Sequence, residues 1–161
     1  MAIVRSSGIL LYRFAPGIEV WLAHMGGPFW SRKDEAAWSI PKGLYDETES
    51  PLAAALREFE EEMGVPAPAA EFELLGEFRQ PSGKVVIAYA AEFDFHVERV
   101  VSNTFALEWP KGSGRIQNFP EIDAADWFPL ETARTKLVKG QRPLLDALNS
   151  KLAAGSPDGP Q

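Results

Sequence analysis

The sequence predicts an α/β fold of a single domain. Strand-like runs at 3–24 and 72–93 enclose a helix-forming stretch at 51–63, and helical patterns return near the end of the chain. Of the 161 residues, 45% are hydrophobic and 24% are charged, which is typical of a globular protein with one core. We expect the domain to span residues 1–152. The polar, Pro- and Gly-rich tail at 153–161 is predicted to be disordered.

The first two strands are predicted to form a hairpin. The runs Ile3–Phe14 and Ile18–His24 are rich in residues that favour strands, and residues 15–17 (Ala-Pro-Gly) form a turn sequence between them. A glycine-rich break at 25–28 then leads into a loop that carries Phe29. An aromatic side chain in a loop can stack on a planar ligand, so Phe29 is a candidate binding residue. Packing of this loop over the core is the alternative.

The central helix is predicted to begin at Pro51. Ser50 is a good N-cap because its hydroxyl can accept a free backbone N–H, and proline at the first position loses no hydrogen bond. Helix formers follow, and Gly64 can adopt the left-handed conformation that ends a helix. At about 100° per residue, the apolar positions share one stripe and three glutamates fall on much of the opposite side. The stripe is Leu52, Ala55, Leu56, Phe59 and Met63, and the glutamates are Glu58, Glu61 and Glu62.

Three ionised carboxylates this close together repel one another unless a cation lies among them. Mg²⁺ or Mn²⁺ would remove that cost, since both prefer oxygen ligands and can share them with waters and phosphates. A bound ion of this kind polarises a phosphoryl oxygen and activates a water, whose proton a nearby glutamate can take. Arg57 lies four residues before Glu61 and can also reach back to Glu49. We interpret the stretch as a divalent-metal site for cleaving phosphate anhydrides, with a solvated, Glu-rich helix as the alternative.

The complete motif is more specific than an acidic helix. It reads Gly43, five residues, Glu49, seven residues, Arg57-Glu58, an apolar residue, any residue, Glu61-Glu62, any residue, glycine and an apolar residue. From average residue usage, these identities would coincide on the order of once in 10⁸ start positions. The stretch Gly43–Val65 resembles the Nudix box and matches it at every defining position.

This resemblance implies an α/β/α sandwich around a mixed sheet, and hydrolysis of a nucleoside diphosphate linked to another group. It also implies that the box glutamates and a backbone carbonyl bind the metal, while an arginine and an earlier glutamate orient them. One of the box glutamates or a later loop glutamate would be the base. The implied metal ligands are Gly43, Glu58, Glu61 and Glu62, and the implied catalytic residues are Glu58, Glu61, Arg57 and Glu49.

The stretch that leads into the box also carries a resemblance. WSIPKG, residues 38–43, is similar to the corresponding stretch of Nudix enzymes that act on dinucleoside polyphosphates and on diphosphoinositol phosphates. Lys42 is expected to contact phosphate, and Trp38 is a candidate substrate-binding residue. Tyr89 lies later than the tyrosine that diadenosine polyphosphate enzymes often carry, so nucleoside triphosphates, oxidised ones included, stay open as substrates.

Further strands are predicted beyond the helix. Phe72–Arg79 and Lys84–Phe93 flank a turn sequence at 80–83, and the second run is apolar enough for a buried central strand. Val100–Trp109 reads as another strand. The loop that follows, PKGSGR, ends at Arg115, which is a candidate phosphate contact.

A late glutamate could complete the metal site. Glu121 is followed by an apolar, Trp-containing stretch, an arrangement that is similar to the loop before the last strand of Nudix folds, so it is a candidate extra ligand or base. Glu108 is the competing candidate, and an ordinary surface carboxylate is the alternative for both. Helices are predicted at Leu130–Val138 and Arg142–Leu152, on either side of the helix breaker Gly140.

Composition excludes several other classes of protein. The net charge of −7 disfavours a nonspecific nucleic-acid binder, and no run approaches the ~18 apolar residues of a membrane span. The start of the chain does not read as a signal peptide, so we expect a cytoplasmic protein with a small-molecule nucleotide substrate. The predicted activity is that of a Mg²⁺-dependent pyrophosphohydrolase, with diadenosine tetraphosphate as a possible substrate. The rival is a Nudix module that senses a nucleotide without turnover. The sequence does not fix an oligomeric state.

Overall fold

The computed structural model describes residues 3–154, and the ends of the chain lie outside it. The described part of the chain forms nine strands and three α-helices. The strands are β1 (Arg5–Phe14), β2 (Ile18–Met25), β3 (Trp38–Ser39), β4 (Lys42–Leu44), β5 (Glu73–Arg79), β6 (Val85–Glu92), β7 (Thr104–Glu108), β8 (Ile116–Pro120) and β9 (Ile122–Pro129). The helices are α1 (Pro51–Met63), α2 (Leu130–Lys136) and α3 (Pro143–Ala154).

Seven of these strands form one mixed sheet around β1. The order along the sheet is β3-β2-β1-β6-β5, with β4 paired to β1 and β9 paired to β2. β1 and β6 run parallel, and the other pairs in the sheet are antiparallel. One edge of β1 is shared, because β4 pairs with its first half and β2 with its second half. The predicted mixed sheet is therefore confirmed.

The two faces of the sheet carry separate cores. On β1, Ile9 and Leu11 pack with Phe59 of α1, whereas Leu10 packs with Leu144 and Leu148 of α3 on the other side. This alternation follows from the two-residue period of a strand whose both faces are covered. Helices thus cover the sheet on both sides, which confirms the sandwich that the resemblance implied.

Helix α1 begins and ends as the sequence predicts. The Ser50 hydroxyl accepts a hydrogen bond from the backbone N–H of Ala53 at 3.2 Å, and Pro51 is the first helical residue. Gly64 adopts a left-handed conformation with φ 83°, and its N–H donates to the carbonyl of Glu60. Both ends of the helix are therefore determined by the local sequence. The positions of the acidic residues along the helix follow from these ends.

One face of α1 differs from the prediction. Glu62 is buried, with 8% of its surface exposed, rather than lying on the side opposite the apolar stripe. Its Oε1 accepts a hydrogen bond from the backbone N–H of Lys42 in β4 at 3.1 Å. Seven residues after Ala55, Glu62 lies about 20° from it around the helix, so it borders the apolar stripe, and β4 covers this flank.

We expect Ser50→Ala to destabilise the protein by about 1 kcal/mol, because the helix loses its N-cap hydrogen bond. For a chain of this length the melting temperature should fall by about 2–4 °C, which differential scanning calorimetry can measure. Ser82→Ala is the matched control, since that exposed hydroxyl has only a 3.5 Å contact with Lys84 N. An equal loss in both variants would contradict the assigned capping role.

The later part of the chain departs most from the prediction. The strand predicted at Val100–Trp109 is confined to β7, and it pairs only with β8, which the sequence analysis did not identify. The two form a separate antiparallel hairpin. Four of the five residues of β8 are exposed, so the hydrophobic pattern that signals a half-buried strand is absent there.

The chain ends in two helices, as predicted, although their bounds shift. α2 stops at Lys136 and α3 continues through Ala154, two residues beyond the predicted domain end. The remainder of the predicted tail, 155–161, lies outside the described residues. Among residues 3–154, every helix is too short or too polar to cross a lipid bilayer.

Candidate functional site

The site is assembled where β4 meets the second half of α1. Gly43 pairs with Ser7 of β1, and the Ser7 hydroxyl donates to the carbonyl of Pro51 at 2.5 Å. β1 therefore holds both the glycine strand and the start of the helix. A Cβ on Gly43 would lie 2.0 Å from the carboxyl carbon of Glu58. Only glycine lets the Glu58 carboxylate pack directly against the β4 backbone.

Arg57 connects three of the carboxylates. Its Nε and Nη2 donate to the two oxygens of Glu49 at 2.7 and 2.8 Å, a two-pronged pair that fixes the plane of the guanidinium. Its Nη1 donates to Glu58 at 2.8 Å and to Glu61 at 3.3 Å. The hydrogen bond from Arg57 lowers the pKa of Glu49. The predicted contact between Arg57 and Glu49 is thus present, and the arginine also restrains both neighbouring glutamates.

Glu58 and Glu62 lie in less hydrated surroundings. Burial raises the pKa of Glu62 to about 8, although the hydrogen bond from Lys42 N and the charge of Lys42 act in the opposite direction. Burial also raises the pKa of Glu58, and the hydrogen bond from Arg57 opposes it. The negative charge of Glu121 raises both pKa values further. Burial is thus the main reason that both carboxyl groups hold their protons more tightly than exposed glutamates do.

Lys42, the predicted phosphate contact, stands beside these acids. Its side chain is half-buried, and burial lowers its pKa, while the charges of Glu62 and Glu58 raise it. In the register of the sheet, Lys42 pairs with Gly8 of β1. A Cβ added to Gly8 would lie 2.7 Å from the Cβ of Lys42. A second glycine therefore allows the close approach of β1 and β4 next to the acidic cluster.

The residues present suit a hard divalent cation. Within residues 3–154, no three acidic, imidazole or thiol side chains already converge as a complete metal cage. Mg²⁺ does not need one, because it is often held by one or two carboxylates together with waters and substrate phosphates. All the candidate donors of Glu58, Glu61, Glu62 and Gly43 are oxygens. A cation here would also compensate Glu62, whose raised pKa reflects a buried carboxylate.

The two late glutamates lie in different places. The backbone of Glu121 donates to the carbonyl of Asn103 and accepts from the N–H of Gly26, at 2.9 and 2.8 Å. Asn103 in turn donates to the carbonyl of Glu61 at 3.0 Å, which ties the Glu121 segment to the end of α1. Glu108 instead accepts from the N–H of Gly112 at 2.7 Å, inside the hairpin loop. Of the two candidates, Glu121 is the one whose charge acts on the acidic cluster.

The other candidate binding residues are dispersed. Phe29 is 59% exposed, and its ring lies edge-on to Trp109, with centroids 5.3 Å apart. Arg115 is exposed on the loop of the β7–β8 hairpin. Trp38 is half-buried, its ring centroid lies 4.8 Å from that of Phe128, and its indole N–H donates to a loop carboxylate. A role of Trp38 in substrate binding stays a prediction.

Two cavities flank the Arg57–Glu49 pair. One of about 500 Å³ is lined by Arg57, Glu61 and Asn103, among others. The other, of about 760 Å³, is lined by Glu49 and Tyr45 together with Arg5 at the start of β1. Sequence reasoning singled out neither Asn103 nor Tyr45, because isolated asparagine and tyrosine residues carry no spacing signal.

Comparison with known proteins decides the family. The model of the NUDIX domain family matches residues 3–148. The chain belongs to the Nudix family. It is a Nudix hydrolase, an enzyme that acts on acid anhydrides in phosphorus-containing compounds, and Nudix hydrolases generally depend on divalent metal ions.

Solved Nudix structures share this fold. An Ap4A hydrolase from Caenorhabditis elegans, solved as a binary complex, is 25% identical with a TM-score of 0.61, and the alignment covers 94% of this chain and 99% of that one. The Nudix domain of Shewanella oneidensis NrtR, solved with ADP-ribose, is 20% identical with a TM-score of 0.63 over 94% and 90% of the two chains. The Escherichia coli ORF135 protein is 21% identical, with a TM-score of 0.59 over 98% and 96%. No curated protein gives a significant match.

Proposed function

We propose that this Nudix protein is a Mg²⁺-dependent pyrophosphohydrolase that cleaves a phosphoanhydride of a nucleoside polyphosphate, with dinucleoside polyphosphates such as diadenosine tetraphosphate as the preferred class. The observation that carries the proposal is the acidic cluster, in which Glu62 is buried beside β4, Glu58 packs against Gly43, and Arg57 binds Glu58 and Glu61. A cluster whose donors are all oxygens fits a divalent ion that shares its remaining positions with phosphate oxygens.

In this proposal Glu58, Glu61 and Glu62 hold the metal, together with the carbonyl of Gly43. The ion, when bound, neutralises charge that develops on the phosphate oxygens and makes a water more acidic. A carboxylate of the cluster, or Glu121 beside it, takes the proton from the attacking water. Arg57 and Glu49 act as positioning residues, because their paired hydrogen bonds hold the glutamates in one arrangement.

Three features support a dinucleoside polyphosphate over a smaller substrate. The WSIPKG stretch leads into the box, and the C. elegans structure at 25% identity is an Ap4A hydrolase whose full length is matched. In addition, cavities lie on both sides of the Arg57–Glu49 pair, so a ligand centred on the metal cluster has space in two directions. Oxidised and ordinary nucleoside triphosphates are the next candidates, and the same assay separates them.

A substrate panel tests this proposal. The purified protein would be incubated with Mg²⁺ and, in turn, diadenosine tetraphosphate, ATP, an oxidised guanosine triphosphate, ADP-ribose and a diphosphoinositol phosphate, and the products would be separated by ion-exchange chromatography. We expect diadenosine tetraphosphate to show the highest kcat/KM. Binding of a nucleotide without products in every reaction would favour the sensing module over the enzyme.

Removing the metal is expected to abolish turnover. With excess EDTA, the rate should fall to the uncatalysed background, and Mg²⁺ or Mn²⁺ in excess of the chelator should restore it, since the proposed water activation needs a divalent ion. Ca²⁺, which prefers longer bonds and more ligands, serves as the comparison cation. Full activity in EDTA, checked by metal analysis of the same sample, would contradict the metal assignment.

A further inference from the structure

The larger of the two cavities offers space for part of the ligand, and its lining indicates which part. It measures about 760 Å³ and lies beside the loop between β4 and α1, where Ile3 and Arg5 of the chain start face Tyr45, Glu47 and Glu49. The Tyr45 N–H donates to the carbonyl of Arg5 at 3.2 Å, so the loop continues the pairing of β4 with β1 and the cavity walls are joined by backbone.

A single ion pair connects the wall of this cavity with the acidic cluster. Glu49 lines it, and both oxygens of Glu49 are held by Arg57. The same guanidinium contacts Glu58 and Glu61 with its remaining nitrogen. A group that lies against Tyr45 is therefore separated from the predicted metal ligands by the Glu49–Arg57 pair.

The charges of the cavity exclude a phosphate as its occupant. Asp46, Glu47 and Glu49 face it, and Arg5 is the only basic residue in its lining among the described residues. A phosphate would be repelled by this excess of carboxylates. An uncharged group that donates hydrogen bonds would be accepted, so the cavity selects the part of a nucleotide that carries no charge.

The apolar and acceptor groups fit a nucleoside in particular. Ile3 is 45% exposed and Tyr45 is half-buried, which leaves apolar and aromatic surface for a flat ring. Asp46 is already engaged by Thr48, through its N–H at 2.8 Å and its hydroxyl at 2.5 Å. Within residues 3–154, the carboxylate of Glu47 has no hydrogen bond or salt bridge, and carboxylates accept well from ribose hydroxyls.

We propose that this cavity binds one nucleoside of the substrate, with the base against the ring of Tyr45 and the ribose hydroxyls donating to Glu47. The inference rests on the proposed function, and it adds a specificity site to it. The site discriminates by the presence of a nucleoside, whereas the metal cluster recognises any polyphosphate. Tyr45 and Glu47 are thus binding residues that take no part in the hydrolytic step.

The test separates the two parts of the ligand. Binding of a methylene-bridged, non-hydrolysable diadenosine tetraphosphate and of inorganic tripolyphosphate would be measured by isothermal titration calorimetry with Mg²⁺. Tyr45→Ala should weaken binding of the nucleotide analogue about tenfold, the scale of one stacked base, and leave tripolyphosphate within about twofold. Tyr45→Phe should bind both as the wild type does. Glu47→Gln should weaken only the nucleotide analogue, and Glu131→Gln is its exposed control.

Each other outcome overturns the assignment. Unchanged nucleotide binding in Tyr45→Ala would place the nucleoside elsewhere. An equal loss for tripolyphosphate would mean that Tyr45 supports the cluster rather than the nucleoside. The proposed function itself fails separately, if wild-type protein binds neither ligand in the presence of Mg²⁺ and hydrolyses no member of the substrate panel. Saturation-transfer NMR on the adenine protons of the bound analogue gives a second readout, because Tyr45→Ala should weaken their signal.

Discussion

Replacing Glu61 or Glu62 with glutamine is expected to lower kcat by at least about 100-fold, because each change removes metal-binding charge or the base while keeping the shape of the side chain. Both side chains lie on one flank of α1, Glu61 against Arg57 and Glu62 against the N–H of Lys42. Glutamine can still accept the hydrogen bond from Lys42, so the fold should survive. Steady-state kinetics at saturating Mg²⁺ measures the loss.

The two variants should differ in stability. The folded protein binds the Glu62 proton more tightly than the unfolded chain does, so this residue's contribution to stability falls as pH rises from the ordinary glutamate pKa towards about 8. In EDTA, Glu62→Gln should therefore melt above the wild type, and the gap should widen between pH 5 and pH 8. Glu60→Gln, an exposed neighbour on the same helix, is the control for net charge.

Wild-type turnover in both Glu61→Gln and Glu62→Gln would refute the site.

Gly43→Ala is expected to have the second large effect. The added methyl carbon would lie 2.0 Å from the Glu58 carboxyl carbon, a distance at which either the side chain or β4 must move. We expect a loss of about 1–3 kcal/mol in stability from this overpacking, and a fall in kcat/KM of at least tenfold because Glu58 is displaced. Urea unfolding measures the loss of stability, and initial rates on the same preparation measure the fall in kcat/KM.

The comparison variants make the steric explanation specific. Gly17→Ala places a methyl group in open space, so it should change neither the stability nor kcat/KM by much. Combining Gly43→Ala with Glu58→Ala removes the atoms that the new methyl group meets. The double variant should regain stability relative to Gly43→Ala and stay inactive. Failure to regain stability would show that the glycine is needed for a reason other than the contact with Glu58.

The sequence predicted the central helix well because its ends are determined locally. Ser50, Pro51 and Gly64 act within one turn of themselves, and all three take the positions expected of them. The contact between Arg57 and Glu49 was also predictable, since the family resemblance assigns both residues to orienting the metal ligands. The hairpin of β1 and β2 follows in the same way from two strand-like runs and a short turn.

Contacts between distant segments could not be predicted in this way. The burial of Glu62 depends on β4 lying along the helix, and the packing of Trp38 depends on Phe128, ninety residues later. β8 is mostly exposed and so shows no alternation to read. The walls of the Tyr45 cavity come from two separate segments that meet only through the sheet. Each of these features is set by tertiary packing, which one sequence does not record.

The β7–β8 hairpin has a further consequence for how this enzyme can change. It pairs only with itself, while its base is anchored to α1 through Asn103 and to the loop at Gly26 through the Glu121 backbone. Its outer loop can therefore be lengthened, shortened or exchanged without breaking a ladder of the main sheet. Changes in this loop can therefore alter which substrates the enzyme prefers. The main sheet and the acidic residues of α1 need not change with it.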